Sequence, residues 1–367
     1  MPSISETATA EPETLVERHG GLGRIRLNRP KALNSLTLRM VRDIEAALDD
    51  FQGDPAIAAV LVTGEGERGL CAGGDIRAIY DGGKAGSDAP ATFWREEYTL
   101  NARIGRIPKP YVAVMDGIVM GGGVGISVYG SHRIVTERTR FAMPETGIGF
   151  FPDIGASWFL TRHAGELGTY AGLTGEPLGP ADVILAGLAD VFVHSGRLPA
   201  LIETLASLPA GSPREAVSAA IEGCSEMPPA GVLEPLKEAI DRLFAFDTIE
   251  DILETLRRDG SPFAEKALSV LSVKSPLSLS VTLRLLRLGR QTARLEDCLE
   301  REFAATAAVL RSHDFYEGVR AAVIDKDRNP QWRPARLADV TAADIDAYFQ
   351  PSAHPLFADM IKEGSRT

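Results

Sequence analysis

The 367-residue sequence predicts an α/β fold in which a strand-rich first half is completed by a helical second half. Three observations predict it. Short apolar runs alternate with helix-period segments over residues 17–143, often with two strands for each helix. Glycine and proline punctuate the junctions between them. From about residue 165 the pattern turns mostly helical, and residues 198–262 are rich in Ala, Leu and Glu. The expected organisation is a disordered tail over residues 1–12, a core with the active site over 13–197, a helical region over 198–350 and a surface tail over 351–367.

Two strands open the core, at residues 14–19 and 23–28, joined by a Gly20-Gly21-Leu22-Gly23 hairpin signal. A polar loop with Pro30 follows. Leu38, Val41, Ile44, Ala47 and Leu48 then recur at helical spacing, which predicts a helix over 36–51 ended by Gly53 and Pro55. The run AAVLVT at 58–63 reads as a buried strand. GEGERGLCAGGDIRAI reads as loop, short strand, glycine turn and helix. A helix is expected over 91–107, a buried strand over 111–115, and a glycine turn at 121–123 leading into a helix to about residue 129. Short strands are expected at 133–136 and 141–143. Helices should cover 275–288, 295–309 and 317–324.

Composition narrows the function. A formal net charge of −11 argues against a broad nucleic-acid surface, which needs a basic stripe. No apolar run is long enough to span a membrane. Cys71, Cys224 and Cys298 are odd in number and widely spaced, so they form neither a metal-ligand pattern nor a disulfide framework. The acidic N-terminal stretch MPSISETATAEPE has the pattern of neither a secretory signal nor an Arg-rich transit peptide. A cytoplasmic protein in a reducing compartment is the expectation.

The sequence lacks G-x-S-x-G, G-x-x-x-x-G-K-[ST] and H-E-x-x-H, and neither of its glycine runs, at 73–74 and 121–123, fits G-x-G-x-x-G, which disfavours serine hydrolases, nucleotide hydrolases, zinc proteases and dehydrogenases. Two glycine segments remain, Cys71-Ala72-Gly73-Gly74-Asp75 and Met120-Gly121-Gly122-Gly123. Each lies between an apolar run and a helix, where backbone N–H groups can point outwards. Two such turns aimed at one point would form an oxyanion hole; tight turns that only suit packing are the plainer alternative. Glu145, after Pro144, could do acid–base or nucleophilic work, or be an exposed loop glutamate. Asp153, after Pro152, could do the same or cap the helix that follows. The six histidines are scattered without a nucleophile or metal pattern, so all six read as structural.

The order ALN, CAGGD, GGG, PE, FPD resembles the crotonase (enoyl-CoA hydratase/isomerase) superfamily. FWREEY at 93–98, MGGGVGISV at 120–128, FAMPETGIGFFPDIG at 141–155, SPLSLSVTLRLL at 275–286 and HDFYEGVRAAVIDKDRNPQW at 313–332 make it similar to a branch that hydrolyses acyl-CoA thioesters. The resemblance covers about residues 14–348. It implies a crotonase-like spiral of strand–strand–helix turns with a C-terminal helical region. It implies that the N–H groups of Gly74 and Gly122 form the oxyanion hole and that Glu145 and Asp153 are catalytic. Glu97, Gly73 and Asp75 are implied to contact substrate. Lys31, Ala32, Leu33 and Asn34 would sit near the adenine and phosphates of coenzyme A, as would Lys326.

One departure from the family pattern is informative. Superfamily hydratases carry a glutamate shortly after the triple glycine, where this chain has Gly125, and a small residue where it has Asp153. Hydration needs acid–base work at two adjacent carbons, whereas thioester hydrolysis needs attack at the carbonyl and loss of a thiolate. The implied reaction is therefore hydrolysis of 3-hydroxyisobutyryl-CoA, or a closely related short 3-hydroxyacyl-CoA, in valine degradation. The alternatives are an enoyl-CoA hydratase or isomerase of the same fold, and a non-catalytic binding protein. The expected partner is the acyl-CoA substrate, with coenzyme A as part of it; no separate cofactor, metal, nucleic acid or membrane is expected. Trimers and hexamers are common in the superfamily, so self-association is left open.

Overall fold

The computed structural model describes residues 11–358. The expected N-terminal tail therefore lies outside the described residues except for Glu11 and Pro12, as does the surface tail beyond residue 358.

After an opening hairpin the chain winds as a spiral, in which one strand of each turn joins a large sheet and the next joins a small one. Strands β1 (Thr14–His19) and β2 (Leu22–Leu27) form an antiparallel hairpin. Helix α1 (Leu38–Gly53) leads to β3 (Ala59–Gly64) and β4 (Gly69–Cys71). Helices α2 (Ile76–Lys84) and α3 (Ala89–Ile104) lead to β5 (Tyr111–Met115) and β6 (Ile118–Met120). The one-turn helix α4 (Gly122–Gly125) leads to β7 (His132–Val135) and β8 (Arg140–Ala142). Helices α5 (Ala156–Phe159), α6 (Leu167–Thr174) and α7 (Pro180–Leu185) precede the two-residue β9 (Val191–Phe192).

The large sheet has the order β1-β2-β3-β5-β7-β9, and the small one β4-β6-β8. Apart from the first hairpin, the pairings between these strands are parallel. Parallel strands covered on both faces are apolar throughout, as AVLV of β3 and YVAVM of β5 are. Their side chains divide with the period of two that a strand imposes. Val60, Val62, Tyr111, Ala113 and Met115 face the main core. Ala59, Leu61, Val112 and Val114 face a second cluster, built with Leu201, Leu205, Val217 and Ile221. Those four lie on α8 (Leu198–Ala206) and α9 (Arg214–Glu222), which cover the outer face of the sheet.

Helix α1 follows the predicted period. Thr37 caps it by accepting from the Met40 N–H, and Met40, Val41, Ile44, Ala47, Leu48 and Phe51 are buried. The second half continues through α10 (Lys237–Leu243), α11 (Ile249–Asp259), α12 (Pro262–Ser272), α13 (Pro276–Gln291), α14 (Leu295–Val309) and α15 (His313–Val319). Helix α14 packs on both α3 and α5, and α13 packs on α5 and α6. The helical region thus reaches the strand-rich half beside Glu97 and Asp153. No helix among the described residues is long and apolar enough to cross a membrane.

Candidate active site

The small sheet delivers the site. Just beyond β4 lie Gly73 and Gly74, beyond β6 lie Gly121 and Gly122, and beyond β8 lie Pro144 and Glu145. All six border one cavity of about 120 Å³. Leaving β4 and β6 so sharply requires glycine: Gly73 has φ +108° and Gly121 φ +46°. The two turns abut. A Cβ added at Gly122 would overlap Oε1 of Glu97 and stand 3.3 Å from the Gly74 nitrogen. Neither the Gly74 nor the Gly122 N–H finds an acceptor among the described residues. Two backbone donors side by side at a cavity wall suit a carbonyl oxygen that gains negative charge.

Three carboxyl groups meet in the same place. Glu145 begins a 3-10 turn, Glu145–Ile148. Glu97 comes from the buried face of α3, and Asp153 from the segment before α5. Glu145, Glu97 and Asp153 are only 6%, 2% and 5% exposed, in that order. Glu145 is therefore not a solvated loop residue. Asp153 is not a helix cap either: α5 is preceded by Gly155 and has no side-chain cap. Instead the Tyr98 phenol donates a 2.6 Å hydrogen bond to Oδ2 of Asp153. Oε1 of Glu97 and Oε2 of Glu145 are buried without a partner among the described residues. Buried acceptors left unpaired are costly to a folded chain, and here they border a cavity.

Burial dominates the electrostatics. It holds the Glu97 carboxyl well above the usual range, helped by the charges of Asp153 and Glu145. It does the same to Glu145, with Asp153 adding to the rise. Asp153 is pushed up to about 7 by burial, against the opposing pull of the Tyr98 hydrogen bond. Lys274, itself mostly buried, has its ammonium disfavoured by desolvation; the nearby charges of Glu176 and Glu145 oppose that. Carboxyl groups raised by burial in a cavity are a usual setting of acid–base or nucleophilic chemistry. Trp94 stacks on Phe150 at 5.6 Å, and both line the cavity, limiting water.

Not all the residues singled out in the sequence gather here. Gly73, Gly74, Glu97, Gly122, Glu145 and Asp153 do. Asp75 instead caps α2 and bonds Arg29. Lys31, Ala32, Leu33 and Asn34 form a neighbouring loop, in which Leu33 and Asn34 both have positive φ. The Asn34 side chain is occupied there: it donates to the Glu65 and Gly69 carbonyls and accepts from the Arg29 N–H. Lys326 is exposed, has φ +59°, and does not line the cavity.

Sequence reasoning passes over Tyr98, Trp94 and Asn101. Phe93, Trp94, Glu97, Tyr98 and Asn101 form one buried stripe of α3. A carboxylate and an amide on the apolar face of a helix are the available signal. Asn101 is fully buried, and neither its Oδ1 nor its Nδ2 has a partner among the described residues. Its carboxamide lies against Gly125, whose added Cβ would come within 2.8 Å of Nδ2.

Comparison with known proteins shows the family and the fold. The family described as Enoyl-CoA hydratase/isomerase matches residues 22–349. A rat protein named 3-hydroxyisobutyryl-CoA hydrolase, mitochondrial, is 46% identical over 95% of this chain and 91% of its own length. A chicken protein of the same name is 44% identical over 92% and 89%. Among solved structures, one titled carnitinyl-CoA dehydratase from Mycobacterium thermoresistibile is 45% identical with a TM-score of 0.88, covering 94% of this chain and 98% of that one. One titled enoyl-CoA hydratase from Rhodobacter sphaeroides is 41% identical with a TM-score of 0.84, covering 93% and 98%. The α/β spiral expected from the sequence is thus the fold of these neighbours. The cytoplasmic location expected from the sequence is corrected: the curated relatives are named as mitochondrial. That expectation rests on the pattern of the N-terminal stretch together with the unpaired cysteines, and the cysteines report a redox state and not the compartment that maintains it.

Proposed function

The chain belongs to the enoyl-CoA hydratase/isomerase family, and on that footing we propose that it hydrolyses the thioester of 3-hydroxyisobutyryl-CoA, or of a closely related short 3-hydroxyacyl-CoA. The products are the free hydroxy acid and coenzyme A. The observation that carries this reading is that buried Glu145 and Asp153 line one cavity together with the Gly74 and Gly122 turns.

The thioester oxygen lies between the Gly74 and Gly122 N–H groups. Its charge rises in the tetrahedral transition state, so these donors favour that state over the bound substrate. One such donor is typically worth about 2.7–4 kcal/mol of transition-state stabilisation. Glu145 serves the carbonyl carbon by one of two routes. As nucleophile, its carboxylate adds to the carbon and expels coenzyme A thiolate. The resulting mixed anhydride is then cleaved by water, which restores Glu145. As base, it takes a proton from the water that attacks directly. Asp153 orients the acyl hydroxyl or that water, and Glu97 helps to fix the acyl group. Coenzyme A would leave the cavity past the loop of Lys31 to Asn34, with Lys326 as a further contact.

The names of the two similar structures favour a second reading, hydration or dehydration of an enoyl chain. Against it stands Gly125, which removes one of the two carboxylates that this chemistry uses. Free thiol released from 3-hydroxyisobutyryl-CoA, compared with loss of enoyl absorbance from crotonyl-CoA, separates the two. Thiol release is expected to dominate. Hydration of crotonyl-CoA without thiol release would replace the hydrolase reading, and turnover of neither would leave a binding protein. Single turnover in oxygen-18 water, with label sought in Glu145, distinguishes the two routes.

A further inference from the structure

Glu302 is a fully buried carboxylate at the middle of α14, with no cation paired to it among the described residues. A lone buried carboxylate is destabilising unless strong donors surround it. All its donors come from one place. The Gly155 N–H donates to Oε2 at 2.6 Å, and the Ser157 N–H and hydroxyl donate to Oε1 at 2.9 and 2.5 Å. These groups begin two residues after Asp153.

The segment they hold has an unusual backbone. Ile154 has φ +54°, a region that a β-branched residue rarely enters, and Gly155 follows at +85°. Such conformations cost about 1–3 kcal/mol and persist only where the surroundings over-determine them. Here they are fixed from two sides. The Tyr129 phenol donates to the Ile154 carbonyl at 2.7 Å, and Glu302 takes the amides beyond it. The turn aims Asp153 back at the cavity and at Tyr98. Burial of Glu302 raises its carboxyl to about 7, and the charge of Asp153 adds to the rise.

We propose that Glu302 is a positioning residue for the reaction: by clamping the backbone of Gly155 and Ser157 it sets where the Asp153 carboxyl points in the acyl cavity. This rests on the hydrolase reading only for the reaction that is positioned. The groups facing Glu302 are Asp153, Cys298, Tyr98, Tyr129 and the Ser157 hydroxyl.

The test uses Glu302→Gln, which puts an amide N–H against a backbone N–H, and Ser157→Ala, which removes only the hydroxyl donor. In Glu302→Gln, kcat for thiol release is expected to fall at least about tenfold while KM changes by less than about threefold. The apparent pKa near 7 should move down as a neighbouring negative charge is lost. Ser157→Ala should shift kcat in the same direction by about threefold, and it decides the matter if the first variant does not fold. A 13C titration of the Asp153 carboxyl, assigned by its loss in Asp153→Asn, is read without substrate. A shifted Asp153 signal in the variants, where the wild-type protein hydrolyses nothing, supports positioning while the hydrolase reading falls. Folded variants with wild-type kcat and an unshifted Asp153 titration overturn the proposal and leave Glu302 a purely structural group.

Discussion

The Tyr98 phenol and the Asp153 carboxylate form a 2.6 Å hydrogen bond between two buried side chains that lie 55 residues apart. It commits one oxygen of Asp153 to the protein. Tyr98→Phe should remove the side chain that holds the Asp153 carboxyl down against burial. Its pKa should then climb above about 7, visible as an upward shift in the pH dependence of kcat. The loss in kcat should be about ten- to a hundredfold, the scale of a hydrogen bond to a charged group. An unchanged pH profile would mean that Asp153 does not titrate in the rate.

Asp153→Asn acts on its neighbour. The charge of Asp153 adds to the rise of the Glu145 carboxyl. Without it Glu145 ionises more readily, so the ascending limb of kcat/KM should move to lower pH even as its plateau drops. Glu145→Gln should abolish the limb together with turnover, while binding of a coenzyme A ester survives. Near-normal turnover in that variant would remove Glu145 from the reaction.

Gly122→Ala tests the donor turn. The new methyl would overlap Oε1 of Glu97 and press on Leu36. Displacing the Gly122 N–H should cost about 10²–10³-fold in kcat, as for loss of one oxyanion donor. The companion Gly73→Ala should also suffer because of its positive φ, although its added Cβ has no neighbour closer than 3.4 Å. Steric and backbone effects can therefore be told apart by comparing the two.

Gly125→Glu would restore the hydratase-like acid only on paper. The Asn101 carboxamide already fills the space beside Gly125. The single variant should be destabilised by about 1–3 kcal/mol through overpacking. Asn101→Ala combined with Gly125→Glu should recover part of that loss in a thermal melt, a coupling that a double-mutant cycle measures. Simple additivity of the two changes would show that they do not share the space.

Glu97→Gln probes the strain of a buried acid. The folded pKa of Glu97 is raised above the unfolded value, so ionisation disfavours the folded chain. The native state binds the proton more tightly, and that advantage is lost as pH rises through the folded pKa. The variant should therefore gain stability relative to wild type as pH increases. The gain is about 1.4 kcal/mol for each pH unit climbed between the unfolded and the folded pKa. Melting curves between pH 5 and about 9 would show it; a constant difference would mean that Glu97 does not titrate in this window.

How much of this is legible in the sequence depends on whether local pattern or distant packing decides each element. Strand β5 is legible to the residue, because five apolar residues sit between Pro110 and Asp116. Helix α14 is legible to the residue from its period. Strands β6 and β9 escape: three and two residues are too few to show a period, and their pairing partners supply the order. The helix expected over 317–324 starts earlier, at His313, and widens into a π-helical turn, Arg320–Ile324. That turn begins at Arg320, which is tied to Glu317, Asp325 and Asp327, contacts that no periodicity reveals. At the site, residue types and order point to Glu145, Asp153 and the glycines. Only the backbone rules out the cap alternative for Asp153, because Ile154 and Gly155 turn the chain at positive φ before α5. Tyr98 and Asn101 stay hidden because an aromatic or amide at a helical position says nothing of what it faces.

The three-stranded sheet has one more consequence. Each strand ends in a single chemically distinct piece, one donor turn, a second donor turn, and an acid. The spacing between those pieces is set by inter-strand distance, which no side chain at the tips controls. A lineage built on this scaffold can exchange residues beyond a tip, as at position 125 together with its neighbour Asn101, while the ruler that measures the site stays the same length. Chemical diversification and structural constancy are thereby assigned to different atoms of the same three strands.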